Sequence, residues 1–173
     1  MQQGRFFQAG FVVPDLDRAM AQWHEATDVG PFFVLPDVRP DRWTHHGAPA
    51  ELVMRMALAQ SGDMQIELIE QLSEAPSVYT DIHPKGSAGG FHHLLTMTRD
   101  LDEDVAAYAK RGVQPGCLGG NGPLKFAYFD TRRWTGYYTE VMEEEEGILD
   151  LFRQVREAAQ DWDGSDPVRI IGY

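Results

Sequence analysis

The sequence contains two pairs of polar residues that could do chemistry together. Gln8 pairs with His93, and Glu67 pairs with Glu140, when the first part of the chain is aligned on the second. Carboxylate and imidazole side chains move protons near neutral pH and bind divalent cations. A single glutamate in an apolar strand is more often a solvent-facing residue, a lone histidine a hydrogen-bonded core residue, and Gln8 could satisfy a buried polar partner. The equivalence of the pairs favours one shared site.

The two halves of the chain repeat one another with two offsets. An offset of 85 (93 − 8) aligns the Asp-Leu-Asp at 15–17 with the Asp-Leu-Asp at 100–102. An offset of 73 (140 − 67) aligns Glu70 with Glu143. The offsets differ by 12 (85 − 73), so the first copy carries that many extra residues, which we place in the proline-rich stretch 35–49.

Each copy has the pattern of a βαβββ module. A run of β-forming residues opens each copy, at 6–13 and 91–97, and the Asp-Leu-Asp that follows can cap a helix. Three extended pieces complete each module, at 32–35, 52–59 and 64–69 and then at 112–116, 124–129 and 137–142. This pattern predicts a first module at 1–70, a connector at 71–90, a second module at 91–146, and a C-terminal helix (148–162) and tail within 147–173.

Composition restricts the partners that the chain can bind. Fifteen Lys and Arg against 27 Asp and Glu give a net charge of −12, which repels phosphate backbones and anionic bilayers. The single cysteine, Cys117, excludes an internal disulfide, and the start of the chain contains neither a signal peptide nor a membrane span. We therefore predict a cytoplasmic protein with no nucleic-acid or membrane partner.

Three ordered motifs resemble the vicinal oxygen chelate superfamily. They are GDMQIELIEQ at 62–71, GGFHHL at 89–94 and KFAYFD at 125–130, and their order is most similar to that in methylmalonyl-CoA epimerase. The superfamily also includes glyoxalase I, extradiol dioxygenases and antibiotic-binding resistance proteins. The resemblance implies an α+β fold in which two βαβββ modules form an open cupped mixed sheet.

The resemblance also implies a metal centre. Its four ligand positions fall on Gln8, Glu67, His93 and Glu140, the same residues that the internal repeat pairs. One imidazole nitrogen and three oxygens suit Zn²⁺, Co²⁺, Ni²⁺, Mn²⁺ or Mg²⁺. Epimerases usually have histidine at the first position, whereas glutamine there resembles animal-type glyoxalase I. The basic side chains that hold glutathione in those glyoxalases are replaced by Val12 and Gly89, and the lack of a second histidine ligand disfavours an extradiol dioxygenase.

The activity implied is that of an epimerase or isomerase that removes a proton next to a carbonyl through a metal-stabilised enolate. Glu140 would be the base, and Glu67, His45 or His46 would return the proton, because histidine titrates near neutrality. A solvated loop is the alternative reading for His45 and His46. The alternative functions are a glyoxalase-type lyase acting on a dicarbonyl or hydroxy-ketone, and a non-catalytic small-molecule-binding protein.

The resemblance also bears on the substrate and the assembly. It suggests a 2-acyl-CoA thioester as one class of small-molecule substrate, which the charge of −12 disfavours. An open sheet edge, together with the exchange of modules seen in the superfamily, predicts a homodimer.

Overall fold

The computed structural model describes residues 5–171. Residues 1–4, part of the predicted first module, and residues 172–173, the end of the predicted tail, lie outside that range. The strands are β1 (Gln8–Val12), β2 (Phe32–Val38), β3 (Arg42–His45), β4 (Ala48–Pro49), β5 (Met54–Ser61), β6 (Met64–Gln71), β7 (Gly90–Thr98), β8 (Pro115–Asn121), β9 (Leu124–Phe129), β10 (Tyr138–Glu143) and β11 (Val168–Ile170). The helices are α1 (Leu16–Thr27), α2 (Val78–Ile82), α3 (Leu101–Lys110), α4 (Arg132–Thr135) and α5 (Glu146–Ala158).

The eleven strands within residues 5–171 form one mixed sheet, in the order β11-β2-β5-β6-β1-β7-β10-β9-β8-β3-β4. The two copies meet where β1 pairs with β7 in antiparallel orientation. On either side of that pair the arrangement repeats, because β6 runs parallel to β1 and β10 runs parallel to β7. The predicted fold class, an α+β fold with an open, curved mixed sheet and a C-terminal helix, is confirmed.

The helix starts of the two copies are equivalent in detail. Asp15 caps α1 by accepting a hydrogen bond from the backbone of Arg18, and Asp100 caps α3 in the same way. Glu70 accepts a bond from the Leu16 backbone N–H, and its repeat partner Glu143 accepts one from Leu101. The Asp-Leu-Asp motif therefore starts a helix in both copies, as the sequence predicts.

The extra residues of the first copy form a hairpin that the sequence analysis did not predict. Strand β2 continues to Val38, and β3 and β4 follow within the stretch assigned to the insertion. Strand β3 pairs with β8 of the other copy, placing Trp43 opposite Gly119. Trp43 is buried against aromatic rings that include Tyr79 and Phe126. This aromatic packing holds the hairpin onto the second half.

Two predicted element bounds are shifted, and the connector contains a helix that the sequence did not predict. The piece predicted at 112–116 forms as β8 three residues later, because Gly112 has a φ of +73° and lies in a turn. The connector contains α2, which Ser77 and Thr80 start with a reciprocal capping box. The C-terminal helix ends at Ala158, and part of the tail forms β11 against β2. Within residues 5–171, no helix is both long and apolar enough to cross a membrane.

Candidate functional site

The four predicted ligands lie on the four central strands of the sheet. Gly10 of β1 is in register with Glu67 of β6 and with His93 of β7. Leu95, the repeat equivalent of Gly10, is in register with Glu140 of β10. The parallel pairs therefore present the two glutamates symmetrically about the junction of the two copies.

Three of the predicted ligand atoms are in contact. His93 Nε2 lies 3.0 Å from Glu140 Oε2 and 3.2 Å from Glu67 Oε2. All three ligand atoms lie within 4.8 Å of one another. Gln8, which is 1% exposed, lies on the adjacent strand β1, two residues before Gly10 and therefore on the same face. We call these four residues the central cluster.

Each residue of the central cluster has a buried polar atom without a hydrogen-bond partner. These atoms are Gln8 Oε1, Glu67 Oε2, His93 Nε2 and Glu140 Oε2. The short distances between His93 and the glutamates do not give well-directed hydrogen bonds, so the atoms converge without satisfying one another. Burying polar groups unpaired is costly. The His93 nitrogen and the two carboxylate oxygens converge, and Gln8 adds an unpartnered oxygen on the same face of the sheet. One nitrogen and three oxygens are a donor set that fits a divalent cation.

Hydrogen bonds behind His93 orient its ring toward the cluster. Burial lowers the pKa of His92 well below its usual value, so His92 is neutral. Its Nε2 donates to the carbonyl of Val78, 2.9 Å away, which leaves its Nδ1 to accept from His93 Nδ1 at 3.0 Å. In neutral His93 the lone pair is then on Nε2, the atom that faces Glu67 and Glu140. Such a partner behind the ring is typical of metal-binding histidines.

Two further residues complete the support of the cluster. Gln65 accepts a hydrogen bond of 2.5 Å from Gln8 Nε2, which turns Gln8 Oε1 away from Gln65. The ring of His93 lies directly over Gly10, where a Cβ would overlap it. Only glycine leaves room for the imidazole at this position of β1.

The cluster requires positive charge. Burial by itself lowers the pKa of His93, but the nearby carboxylates of Glu140 and Glu67 outweigh burial and raise it to about 9. Burial raises the pKa of Glu140, and His93 opposes that change. Two carboxylates in an apolar environment therefore need a compensating charge, which a proton on His93 or a cation can supply.

A cavity of about 100 Å³ opens above the two glutamates. Glu67 and Glu140 contribute to its lining, together with Tyr79 and Tyr128. A larger groove of about 290 Å³ runs beside α2, but Glu67, His93 and Glu140 do not contribute to its lining. We therefore assign the site to the smaller cavity, which contains the chemistry.

Tyr79 is a site residue that sequence reasoning missed. Its hydroxyl lies 3.1 Å from that of Tyr128, and both side chains are buried. Burial, with the charges of Glu67 and Glu140, raises the pKa of both tyrosines well above the usual value. Both hydroxyls therefore stay protonated and can donate hydrogen bonds. Tyr128 alternates with Phe126 along β9, which indicates that the two share a face. Tyr79 lies in the connector, where no such alternation marks it.

His45 and His46 form a second group, which we call the Asp81 cluster. His45 Nε2 lies 3.1 Å from Asp81 Oδ1, and His46 Nε2 lies 2.8 Å from Asp81 Oδ2. The hydroxyl of Tyr138 donates to Oδ2 at 2.6 Å. Among the residues that the structure describes, neither histidine lines the cavity above Glu67 and Glu140.

The fold of the chain is similar to that of several solved structures. A hypothetical protein from Bacillus halodurans C-125 is similar with a TM-score of 0.57 and 17% identity, over 84% of this chain and 97% of that chain. Methylmalonyl-CoA epimerase from Mycobacterium tuberculosis is similar with a TM-score of 0.54 and 16% identity, over 87% of this chain and 97% of that chain. A variant of Streptomyces coelicolor methylmalonyl-CoA epimerase in complex with 2-nitronate-propionyl-CoA is similar with a TM-score of 0.52 and 17% identity, over 82% of this chain and 98% of that chain. At these identities the likeness shows a shared fold. A comparison with curated proteins found no match.

The family is shown by a direct match to its sequence pattern. Residues 7–128 match the Glyoxalase/Bleomycin resistance protein/Dioxygenase superfamily, which is 122 (128 − 7 + 1) of the 173 residues. The matched range contains three of the four residues of the central cluster, and the internal repeat supplies Glu140 as the counterpart of Glu67. The chain belongs to the Glyoxalase/Bleomycin resistance protein/Dioxygenase superfamily.

Proposed function

We propose that the protein is a divalent-metal-dependent epimerase or isomerase that removes a proton from the carbon next to a carbonyl. The observation that carries the proposal is the set of four buried, unpartnered donor atoms in the central cluster, two of whose carboxylates line a cavity. Gln8, Glu67, His93 and Glu140 would hold the cation. When bound, a divalent cation acts as a Lewis acid that stabilises negative charge developing on a carbonyl oxygen.

Glu140 is the proposed base. Its Oε2 is buried beside the cavity and would accept the proton as the C–H bond breaks. Glu67, its repeat counterpart, lines the same cavity and would deliver a proton as the new C–H bond forms on the other face. One proton leaves carbon and one returns, so the reaction needs no oxidant or reductant.

His45 and His46 remain alternative proton donors. Glu67 is better supported, because it lines the cavity, whereas both histidines are hydrogen-bonded to Asp81. In the Asp81 cluster each histidine meets a different carboxylate oxygen, which is an arrangement that suits a structural contact.

Two other functions share parts of this geometry. A glyoxalase-type lyase would begin with the same proton removal, so the roles of Glu140 and Glu67 carry over to it. A non-catalytic small-molecule-binding protein would use the apolar cavity alone, without the cation. Stoichiometric metal that a chelator removes, together with proton exchange, favours an enzyme.

The decisive experiment combines metal analysis with proton exchange. Protein purified without chelator is analysed for its elements, and carbonyl compounds are incubated with it in heavy water and followed by NMR. We expect Glu140→Gln to abolish solvent deuterium incorporation while retaining most of the metal. Exchange that continues in Glu140→Gln would refute the assignment of the base, and wild-type protein with neither metal nor exchange would favour the binding function.

A homodimer is proposed as the assembly. The sheet ends at β11 on one side, and β11 exposes Val168 and Ile170 (46% and 65% exposed). An exposed edge strand with apolar side chains favours pairing with a second copy. Light scattering during size-exclusion chromatography would measure the mass, and a monomer at high concentration would contradict the proposal.

A further inference from the structure

The cavity above the central cluster is polar at one end and apolar elsewhere. Its polar end is formed by the carboxylates of Glu67 and Glu140 and by the hydroxyls of Tyr79 and Tyr128. The remaining lining is hydrocarbon, methionine sulfur and aromatic ring, apart from the exposed Asn121. A ligand that fits must carry its oxygens together at one end and a hydrocarbon body at the other.

Helix α5 limits the size of that ligand. Ile148, Leu151 and Phe152 of α5 line the cavity, and Phe152 is buried against Phe7 with ring centroids 5.6 Å apart. The cavity volume of about 100 Å³ is small against the several hundred cubic ångströms typical of drug-sized ligands. The space accommodates a short alkyl chain or a single ring.

The cations nearest in sequence to the site are already paired. Lys125 contacts Glu143 at 3.2 Å, and Arg132 contacts Asp130 at 2.7 Å. Arg133 lies over the ring of Trp134. Within residues 5–171, the cavity lining includes no lysine, arginine or histidine. With a net charge of −12, the chain offers little to hold the phosphates of coenzyme A.

We propose that the substrate is a compact, uncharged carbonyl compound with a hydrocarbon body, such as an alkyl or aryl α-hydroxyketone, and that coenzyme A thioesters are not accepted. This inference rests on the proposed function, because it assigns the reacting carbon to the end of the cavity at Glu67 and Glu140. Tyr128 and Tyr79 would donate hydrogen bonds to the second oxygen of such a compound. The hydrocarbon body would lie against Leu151 and Phe152.

The test measures binding separately from catalysis. Isothermal titration calorimetry of the purified protein is done with α-hydroxyacetophenone, acetoin and propionyl-CoA. We expect both hydroxyketones to bind and propionyl-CoA to show no binding at the same concentrations. Tight binding of propionyl-CoA, or no binding of either hydroxyketone, would overturn the proposal.

Variants of α5 locate the ligand. Leu151→Trp fills the cavity and should weaken α-hydroxyacetophenone binding by at least about tenfold. Gln154→Trp adds the same ring at an exposed position of the same helix and should leave binding unchanged. Ile148→Phe is the milder filling variant if circular dichroism shows that Leu151→Trp is unfolded. Equal affinities in the wild type and a folded filling variant would refute the site.

The two proposals can fail separately. Hydroxyketone binding that is lost in the filling variants, without any deuterium exchange in the wild type, would keep the ligand class and reject the epimerase. Deuterium exchange that occurs on a coenzyme A thioester and on neither hydroxyketone would keep the epimerase and reject the substrate class.

Discussion

Residues 5–171 contain two clusters of histidine and carboxylate groups that differ in how their polar atoms are satisfied. In the Asp81 cluster, His45 donates to one carboxylate oxygen, and His46 and Tyr138 donate to the other. In the central cluster, Glu67, His93 and Glu140 are buried and converge, yet each retains an atom without a hydrogen bond. The same residue types thus form a self-sufficient contact in one place and, in the other, a set of unsatisfied donors that we propose binds a cation.

The contrast between the two clusters shows that residue type and proximity do not by themselves identify a metal site. Both groups place three possible ligand atoms within 4.8 Å of one another. The distinguishing features are burial and unmet hydrogen bonding, since an unpaired buried atom costs free energy unless a ligand compensates it. The Asp81 cluster instead joins the β3–β4 hairpin to α2 and β10, and we propose a structural role for it.

The largest expected difference between the clusters is in catalysis. Glu140→Gln should slow deuterium exchange into α-hydroxyacetophenone by about a hundredfold to ten-thousandfold, which is the usual contribution of an acid or base. His45→Ala and His46→Ala should leave the exchange rate nearly unchanged. Proton NMR in heavy water measures the rate, and loss of exchange in either histidine variant would show that the Asp81 cluster takes part.

Metal retention should separate the clusters almost as strongly. Glu67→Ala removes a direct ligand and should lower the affinity for the divalent cation by more than about a hundredfold, beyond the loss typical of a supporting residue. Asp81→Ala should retain about one ion per chain, because the proposed ligands of the central cluster are untouched by this change. Elemental analysis after dialysis decides the outcome. Metal lost from Asp81→Ala and kept by Glu67→Ala would reverse the comparison.

Replacing Gln65 should have a smaller effect on the affinity for the divalent cation than replacing Glu67. Gln65→Leu removes the partner that orients Gln8, and the metal affinity should fall about tenfold to a hundredfold. Gln60→Leu is a matched control, because Gln60 is also buried and lies opposite Gln65 on β5 but bonds to the carbonyl of Gly62. Competition with a fluorescent chelator measures both affinities. Equal values in the two variants would remove Gln65 from the metal centre.

The Asp81 cluster should matter for stability. Asp81→Asn places an amide N–H against groups that donate to the carboxylate, and the free energy of unfolding should fall by about 1–2 kcal/mol. Asp150→Asn breaks a pair with Arg153 in which both side chains are about half exposed, so its effect should be near zero. Urea titration followed by circular dichroism measures both changes. A loss from Asp150→Asn as large as that from Asp81→Asn would contradict the assignment.

The smallest expected effect is the pH dependence of that stability. Burial raises the pKa of Asp81, but hydrogen bonds from Tyr138, His45 and His46 outweigh burial and lower it below its ordinary value. The stabilisation by the carboxylate is then complete above the unfolded-state pKa of about 3.9 and is lost as the pH falls through the folded-state pKa. The stability difference between the wild type and Asp81→Asn should narrow in acid. A difference that widens below that pH would contradict the sign.

A site residue could be predicted where the pattern that marks it lies along the chain itself. The equivalence of Asp15 with Asp100 and of Glu67 with Glu140 is visible along the chain, because each copy must start its helix and present its last strand in the same way. Tyr79 and Asp81 lie in the connector, for which the sequence predicts no helix, although α2 forms there. Their neighbours come from distant strands, so no spacing along the chain could reveal them.

The duplicated modules and the four residues of the central cluster could be predicted from the internal repeat and the family resemblance, because a repeat places equivalent residues at equivalent points of a pseudo-symmetric sheet. Three features emerge only from the folded chain: α5 covers the cavity, Tyr79 and Tyr128 share its polar end, and His45 and His46 contact Asp81. These contacts join elements far apart in the chain. They depend on side-chain packing across the sheet, which local residue patterns do not encode.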